Sequence, residues 1–288
     1  MTSTSLVEEI YQLGYEQHMS KQPSSHTPKD SHYARLRRAH RDRHAEPAKP
    51  AVDGIVRLYG LHTVVAALAN PRRKLIRLYA TRNAVNRLEI DPENLSCPFE
   101  LVEPRVLDSE LGSDAVHQGV MLETRPLPPL GLDHLDAADL VLVLDQVTDP
   151  HNVGAILRSA TAFGAGAVVT TTRHSPQESG VLAKSASGAL EEIPYLQVVN
   201  LAEVLEDLTR RGFQTIGLDS DGPMPLEQTF NGKRFALVLG SEGKGLRQKT
   251  RATVDALARL EAPGAIRSLN VSNAAAVALY AARRAITS

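Results

Sequence analysis

Tryptophan is absent from this 288-residue chain, and aromatic residues make up only 4% of it. Stacking on aromatic platforms is therefore a poor candidate for its main binding device. Cysteine occurs once, at Cys97. That excludes an internal disulfide and a cysteine-based zinc site; no metal is expected, and a reducing cytoplasm is the expected compartment. No apolar run approaches the ~18 residues needed to span a bilayer. No apolar signal segment follows Met1 either, so a soluble protein is expected. Neither sign of charge dominates: 32 Lys and Arg face 33 Asp and Glu, for a formal net charge of -1. Whole-chain charge thus gives no indication of a polyanionic partner.

The distribution of charge says more. Residues 21–50 carry eight Lys or Arg and four His against Asp30, Asp42 and Glu46. Such a local excess is the usual footprint for phosphate contacts, although a solvated tail has the same composition. Residues 1–50 also hold Pro23, Pro28, Pro47 and Pro50 and lose apolar periodicity after Leu13. They read as a basic, disordered or partly ordered tail. Residues 51–124 alternate short strand and helix patterns, from Ile55–Tyr59 through Leu61–Leu68 to Val120–Glu123, which predicts a small α/β domain. Residues 125–139 contain Pro126, Pro128, Pro129 and Gly131 and read as a semi-rigid linker.

Residues 140–288 form the second domain. Its opening run, Leu140-Val141-Leu142-Val143-Leu144-Asp145, suits a strand buried on both faces of a parallel sheet. The alternation that follows predicts helices near 153–163, 177–189, 201–211 and 271–284, with strands near 167–171, 196–199, 213–218, 235–239 and 256–260. This is the pattern of a doubly wound α/β sheet, in which ligands bind beyond the carboxyl ends of the strands.

Three segments of this domain could carry chemistry. In Asp145–Arg158, the chain leaves a buried strand for a helix. Asn152 is a candidate helix cap, Gly154 permits close backbone approach, and Arg158 lies off the apolar face. In Leu239-Gly240-Ser241-Glu242-Gly243-Lys244-Gly245, three glycines follow an apolar strand. The spacing is wrong for a P-loop, and no dinucleotide fingerprint occurs elsewhere. In Ser268-Leu269-Asn270-Val271-Ser272-Asn273, three candidate caps precede an Ala-rich helix. Taken singly, each is also ordinary architecture: a capped helix with a surface Arg, a glycine turn, a capped core helix.

Taken together and in this order, the three segments resemble motifs 1, 2 and 3 of the SpoU/TrmH family of RNA 2′-O-ribose methyltransferases, in the SPOUT superfamily. The resemblance spans roughly residues 140–285. Lys184–Glu191 and His117-Gln118-Gly119-Val120 resemble further segments of its ribosomal RNA members, and residues 54–124 more weakly resemble the family's RNA-binding domain.

The resemblance implies a trefoil-knotted catalytic domain, a homodimer formed through it, and S-adenosyl-L-methionine as methyl donor. It implies catalytic roles for Asn152, Arg158, Glu242, Ser268 and Asn270. It places the donor against Gly240, Leu260 and Leu269, with Leu218 and Asp219 lining the same pocket. Leu260-Glu261-Ala262 departs from the family's usual Ile-Pro-Met at that point. Arg has a pKa above 12 and accepts protons poorly. Arg158 is therefore better suited to hold a phosphate and stabilise a developing alkoxide than to act as a base. The expected substrate is a guanosine ribose in 23S ribosomal RNA, with a transfer RNA guanosine as the alternative. A non-catalytic RNA-binding protein on the same fold is a second reading, and a dinucleotide-dependent oxidoreductase a third.

Overall fold

The computed structural model describes residues 54–265 and 268–288. The basic stretch 1–50 lies outside the described residues, as does Arg267. Chain order is β1 (Val56–Tyr59), α1 (Leu61–Ala69), β2 (Leu75–Ala80), α2 (Arg82–Leu88), β3 (Phe99–Leu101), α3 (Pro104–Leu111) and β4 (Val120–Thr124). Then come β5 (Leu140–Asp145), α4 (Pro150–Ala162), β6 (Ala167–Thr171), α5 (Gly180–Ala186), α6 (Ala189–Glu192), β7 (Tyr195–Val198) and α7 (Leu201–Arg210). The chain finishes with β8 (Gln214–Leu218), β9 (Met224–Pro225), α8 (Leu226–Thr229), β10 (Phe235–Gly240), α9 (Gln248–Thr253), β11 (Ala256–Arg259) and α10 (Val271–Thr287).

The first four strands make one sheet in the order β1-β4-β2-β3, antiparallel except between β2 and β3. The other seven make a parallel sheet in the order β7-β6-β5-β10-β8-β11-β9. β5 shows why its apolar run must be buried on both sides. Leu140, Leu142 and Leu144 enter a core shared with α4, α5 and α10. Val141 and Val143 enter the opposite core, against α7. The chain runs from β5 outward to β6 and β7, then returns to build the other half through β8, β10 and β11. The direction of winding changes between β5 and β10, and a crevice opens at their carboxyl ends.

Two predicted elements differ from the structure. The helix expected over 177–189 is two helices. Ser187 and Gly188, at φ 53° and 96°, put a left-handed break between them. Asn152 does not cap α4. Asp149 does, accepting from the His151 N–H, with Pro150 at the first helical position. The helix therefore starts three residues earlier than apolar periodicity suggests, and Asn152 falls inside its first turn.

The two sheets are joined through α5 and α6. Gly180 sits against β1, where a Cβ would lie 2.3 Å from the Arg57 carbonyl oxygen. The Thr63 hydroxyl donates to the Ala183 carbonyl (3.2 Å). Beside it the Arg73 side chain is fully buried and ion-paired to both Glu178 and Glu191. Asn70 Nδ2 also donates to Glu191 (2.7 Å). The Lys184 ammonium donates to Gln118 Oε1 (2.7 Å), which also accepts the Leu61 N–H. Burial lowers the Lys184 pKa. No helix among the described residues is long and apolar enough to cross a membrane.

Candidate active site

The three motifs meet at the crevice between β5 and β10. Asn152 comes from the first turn of α4, Glu242 from the loop after β10, and Asn270 from the start of α10. Asn152 Nδ2 donates to Glu242 Oε1 at 3.1 Å. Asn270 Nδ2 donates to the same oxygen at 2.7 Å and to Asn152 Oδ1 at 3.0 Å. The Val271 N–H reaches Glu242 Oε1 as well, at 3.4 Å. One carboxylate oxygen thus collects two side-chain amides and a backbone N–H from the first turn of α10. A helix N-terminus favours an anion there. Asn270 is also the cap of α10, its Oδ1 accepting from Ser272 N–H at 2.9 Å. Glu242 Oε2 has no partner among the described residues and remains available to a hydroxyl.

The loop bearing Glu242 is held from both sides. At Gly240 a Cβ would lie 2.1–2.3 Å from backbone atoms of Gly245 and Leu246, so only glycine fits. The turn closes with Gly245 N–H on the Ser241 carbonyl (2.9 Å). Asp145, fully buried at the end of β5, receives the Arg247 backbone N–H at 3.0 Å and its Nε at 2.5 Å. This clamp ties the loop after β10 to the strand beside it. Sequence reading passed over Arg247. The available signal was a lone acid ending an apolar strand, which must find a partner when buried.

The remaining predicted residues fall into two groups. Leu218-Asp219, Gly240 and Leu260 stand at the carboxyl ends of β8, β10 and β11, three neighbouring parallel strands about 4.8 Å apart. Leu218 and Leu260 are half-buried against the core. The Asp219 carboxylate is ion-paired with Arg251 and accepts the Asp221 N–H, while its backbone N–H donates to the Ala258 carbonyl (2.9 Å) and its carbonyl accepts the Gly222 N–H (3.0 Å), so Asp219 shapes the pocket wall through bonds already made. Leu269 is 46% exposed. Ser268 and Arg158 are exposed, and their side chains make no hydrogen bond or ion pair among the described residues. At 100° per residue, Arg158 lies a third of a turn around α4 from Asn152. The fold does not bring it into the Asn152–Glu242–Asn270 cluster.

Two histidines flank these motifs. His151 Nδ1 lies 3.1 Å from Ser185 Oγ on α5. His117 accepts Gly119 N–H through Nδ1 (3.0 Å) and meets Asp108 through Nε2 (3.1 Å). No group of three or more His, Cys, Asp or Glu among the described residues could hold a metal ion.

A parallel sheet wound about a switch point, with amide, carboxylate and glycine loops gathered at its carboxyl edge, is the arrangement in which a doubly wound α/β domain binds its ligand. Residues 139–280 match the SpoU rRNA methylase family, and residues 57–130 match the RNA 2′-O ribose methyltransferase substrate-binding family. The chain belongs to the SpoU rRNA methylase family. It is similar to the 23S rRNA (guanosine-2′-O-)-methyltransferase RlmB of Ralstonia nicotianae, with 38% identity over 79% of this chain and 94% of that protein. The protein of the same name from Pasteurella multocida is 36% identical over 77% of this chain and 95% of its own length. In fold, the chain resembles the SpoU methyltransferase AviRb from Streptomyces viridochromogenes in complex with the cofactor AdoMet. There the TM-score is 0.70 at 21% identity, over 90% of this chain and 95% of that one.

Proposed function

We propose that this protein transfers the methyl group of S-adenosylmethionine to the ribose 2′-oxygen of a guanosine in 23S ribosomal RNA. The observation that carries the reading is the cluster in which Asn152, Glu242 and Asn270, from three distant segments, converge on one carboxylate oxygen at the switch point. Family membership and the RlmB relatives support the substrate. The homologous substrate-binding region 57–130 supports a division of labour between a small RNA-binding domain and the catalytic domain.

The donor supplies an electrophilic methyl when bound. The strand ends fit it: Gly240, Leu260 and Leu269 offer backbone atoms, and Leu218 an apolar wall. The RNA 2′-hydroxyl would form the new O–CH3 bond as the S–CH3 bond breaks, with that bond's electron pair leaving on the sulfur of S-adenosylhomocysteine and the hydroxyl proton passing to water. Glu242 Oε2 faces that hydroxyl, with Asn152 and Asn270 fixing the carboxylate. Ser268 contributes a hydroxyl at the mouth of the crevice. Arg158, a cation whose side chain has no partner among the described residues, takes an RNA phosphate and stabilises the developing alkoxide. Most of the rate then comes from orientation and charge stabilisation.

The trefoil threading of the C-terminal segment belongs to the same reading. The chain passes from β11, beyond β8, back to the end of β10, where Asn270 reaches Glu242; this path supports it. Dimer formation through the catalytic domain does too. Val277 and Tyr280, neighbours on one face of α10, are 46% and 57% exposed, which supports it.

Calorimetric titration of the full chain tests the donor assignment. Binding of S-adenosylmethionine and no binding of NAD is the expected result. Gly240→Ala should weaken donor binding, because its Cβ would force the loop away from Gly245. A folded wild-type protein that takes up NAD and not the methyl donor would refute the assignment.

A further inference from the structure

The loop between β6 and α5 carries a cation, Arg173, and a neighbouring imidazole, His174, that the reaction described above leaves unused. Arg173 and His174 are exposed, and neither side chain has a hydrogen bond or ion pair among the described residues. The turn that presents them is nonetheless built firmly. The Thr170 and Ser175 hydroxyls are hydrogen-bonded to each other, and the Thr171 hydroxyl donates to the Arg173 carbonyl. Thr172 N–H donates to the Val198 carbonyl (2.8 Å), and Tyr195 OH to the Pro176 carbonyl (3.4 Å). Further along, Glu178 is fixed by Arg73 and by the Leu127 N–H (2.9 Å). Within this frame His174 adopts φ 64°, a left-handed conformation uncommon for a non-glycine residue, although histidine takes it more readily than most. Such outliers gather at ligand-contacting positions, where the strain is held by surrounding structure.

The turn also stands in the right place. Leu144 of β5 pairs with Thr170 of β6, so Asp145 and Thr171 end neighbouring strands. Strand spacing is about 4.8 Å and the rise about 3.3 Å per residue, so Arg173 begins within roughly 12 Å of the loop that leads to Asn152. It flanks that loop on the side away from β10, β8 and β11, where the donor is placed. A cation there cannot serve the donor, but it can serve the RNA strand entering the crevice.

We propose that the Arg173–His174 turn is a phosphate-binding element that positions the RNA strand next to the nucleotide being methylated. The inference rests on the reading of the crevice as an RNA methylation site and adds to it a named contact outside the three motifs. Arg173 acts here as a positioning residue: its guanidinium holds a phosphodiester through charge-assisted hydrogen bonds. It does not touch the reacting atoms.

The test uses the full chain with deproteinised 23S ribosomal RNA from cells lacking the enzyme. Arg173→Ala is expected to raise KM for the RNA about tenfold, the loss of one charged hydrogen-bonding contact. It should lower the slope of log affinity against log salt by about 0.7–1, the signature of one phosphate contact removed. The rate at saturating RNA and the affinity for the methyl donor should stay within about twofold of wild type. Arg173→Lys should recover most of the RNA affinity, since phosphate binding needs the charge more than the planar fork. His174→Gly suits the left-handed backbone, so its melting temperature should not fall, while RNA KM rises. Unchanged RNA KM and salt slope in both Arg173→Ala and His174→Gly would overturn the proposal and leave the methylation reading standing. A wild-type chain that transfers no methyl to this RNA would overturn both.

Discussion

Arg158→Ala is expected to slow methyl transfer by about 10²–10³ at saturating RNA and donor, the usual cost of removing one preorganised donor to a developing negative charge. Arg158 is exposed on α4, its side chain pairs with no described residue, and it stands apart from the Asn152–Glu242–Asn270 cluster. Its removal therefore leaves that cluster, the glycine loop and the donor walls in place. Donor affinity and melting temperature should match wild type, and the loss should appear in the single-turnover rate. Arg158→Lys keeps the charge but not the bidentate fork, and should recover part of the rate. Single-turnover methylation measured beside donor titration separates these outcomes. A near-wild-type rate for Arg158→Ala would pass the activation of the 2′-hydroxyl to Glu242.

The second large effect concerns the joint between the two sheets. Arg73→Ala removes the cation from a pair of carboxylates, one of which, Glu191, has a side chain only 2% exposed. Breaking a buried ion pair from one side costs about 3–5 kcal/mol, because the remaining charge has neither water nor partner. The penalty should depend on pH. Burial already raises the Glu178 pKa, and the positive charge of Arg73 opposes that rise. A carboxyl with a raised folded pKa contributes its full stability below the ordinary carboxylate range and loses it as pH climbs through the raised value. Without Arg73 only the Leu127 N–H still opposes the rise, so the deficit should be smaller in mildly acidic buffer and larger at neutral pH. Urea unfolding of both proteins in the two buffers measures it. A pH-independent loss under 1 kcal/mol would show that the pair is solvated in solution.

Local signals made much of this molecule legible. The apolar run of β5, the alternation that follows it and the three motifs in order led to a doubly wound sheet of the SpoU/TrmH type, and the chain belongs to that family. What escaped was pairing over distance and backbone conformation. Asn152 carries a cap's chemistry, but Asp149-Pro150 just before it is the better start, and Asn152 is released to reach Glu242 90 residues away. Arg247 meets Asp145 across 102 residues, and Arg73 meets Glu191 across 118; no periodicity records such partners. The break at Ser187-Gly188 was hidden because apolar residues continue through it to Leu190, and a left-handed Ser leaves no compositional trace. Arg173 was invisible for a related reason. Its setting depends on β6 lying beside β5, which is a property of strand order.

Mass-spectrometric mapping of 23S ribosomal RNA, incubated with the purified chain and S-adenosylmethionine, tests the transfer of a methyl group to one guanosine ribose most directly. One 2′-O-methylguanosine at a single position, absent when the donor is withheld, is the predicted result. No ribose methylation of 23S ribosomal RNA, with methylation instead appearing on a transfer RNA guanosine in a parallel reaction, would contradict it.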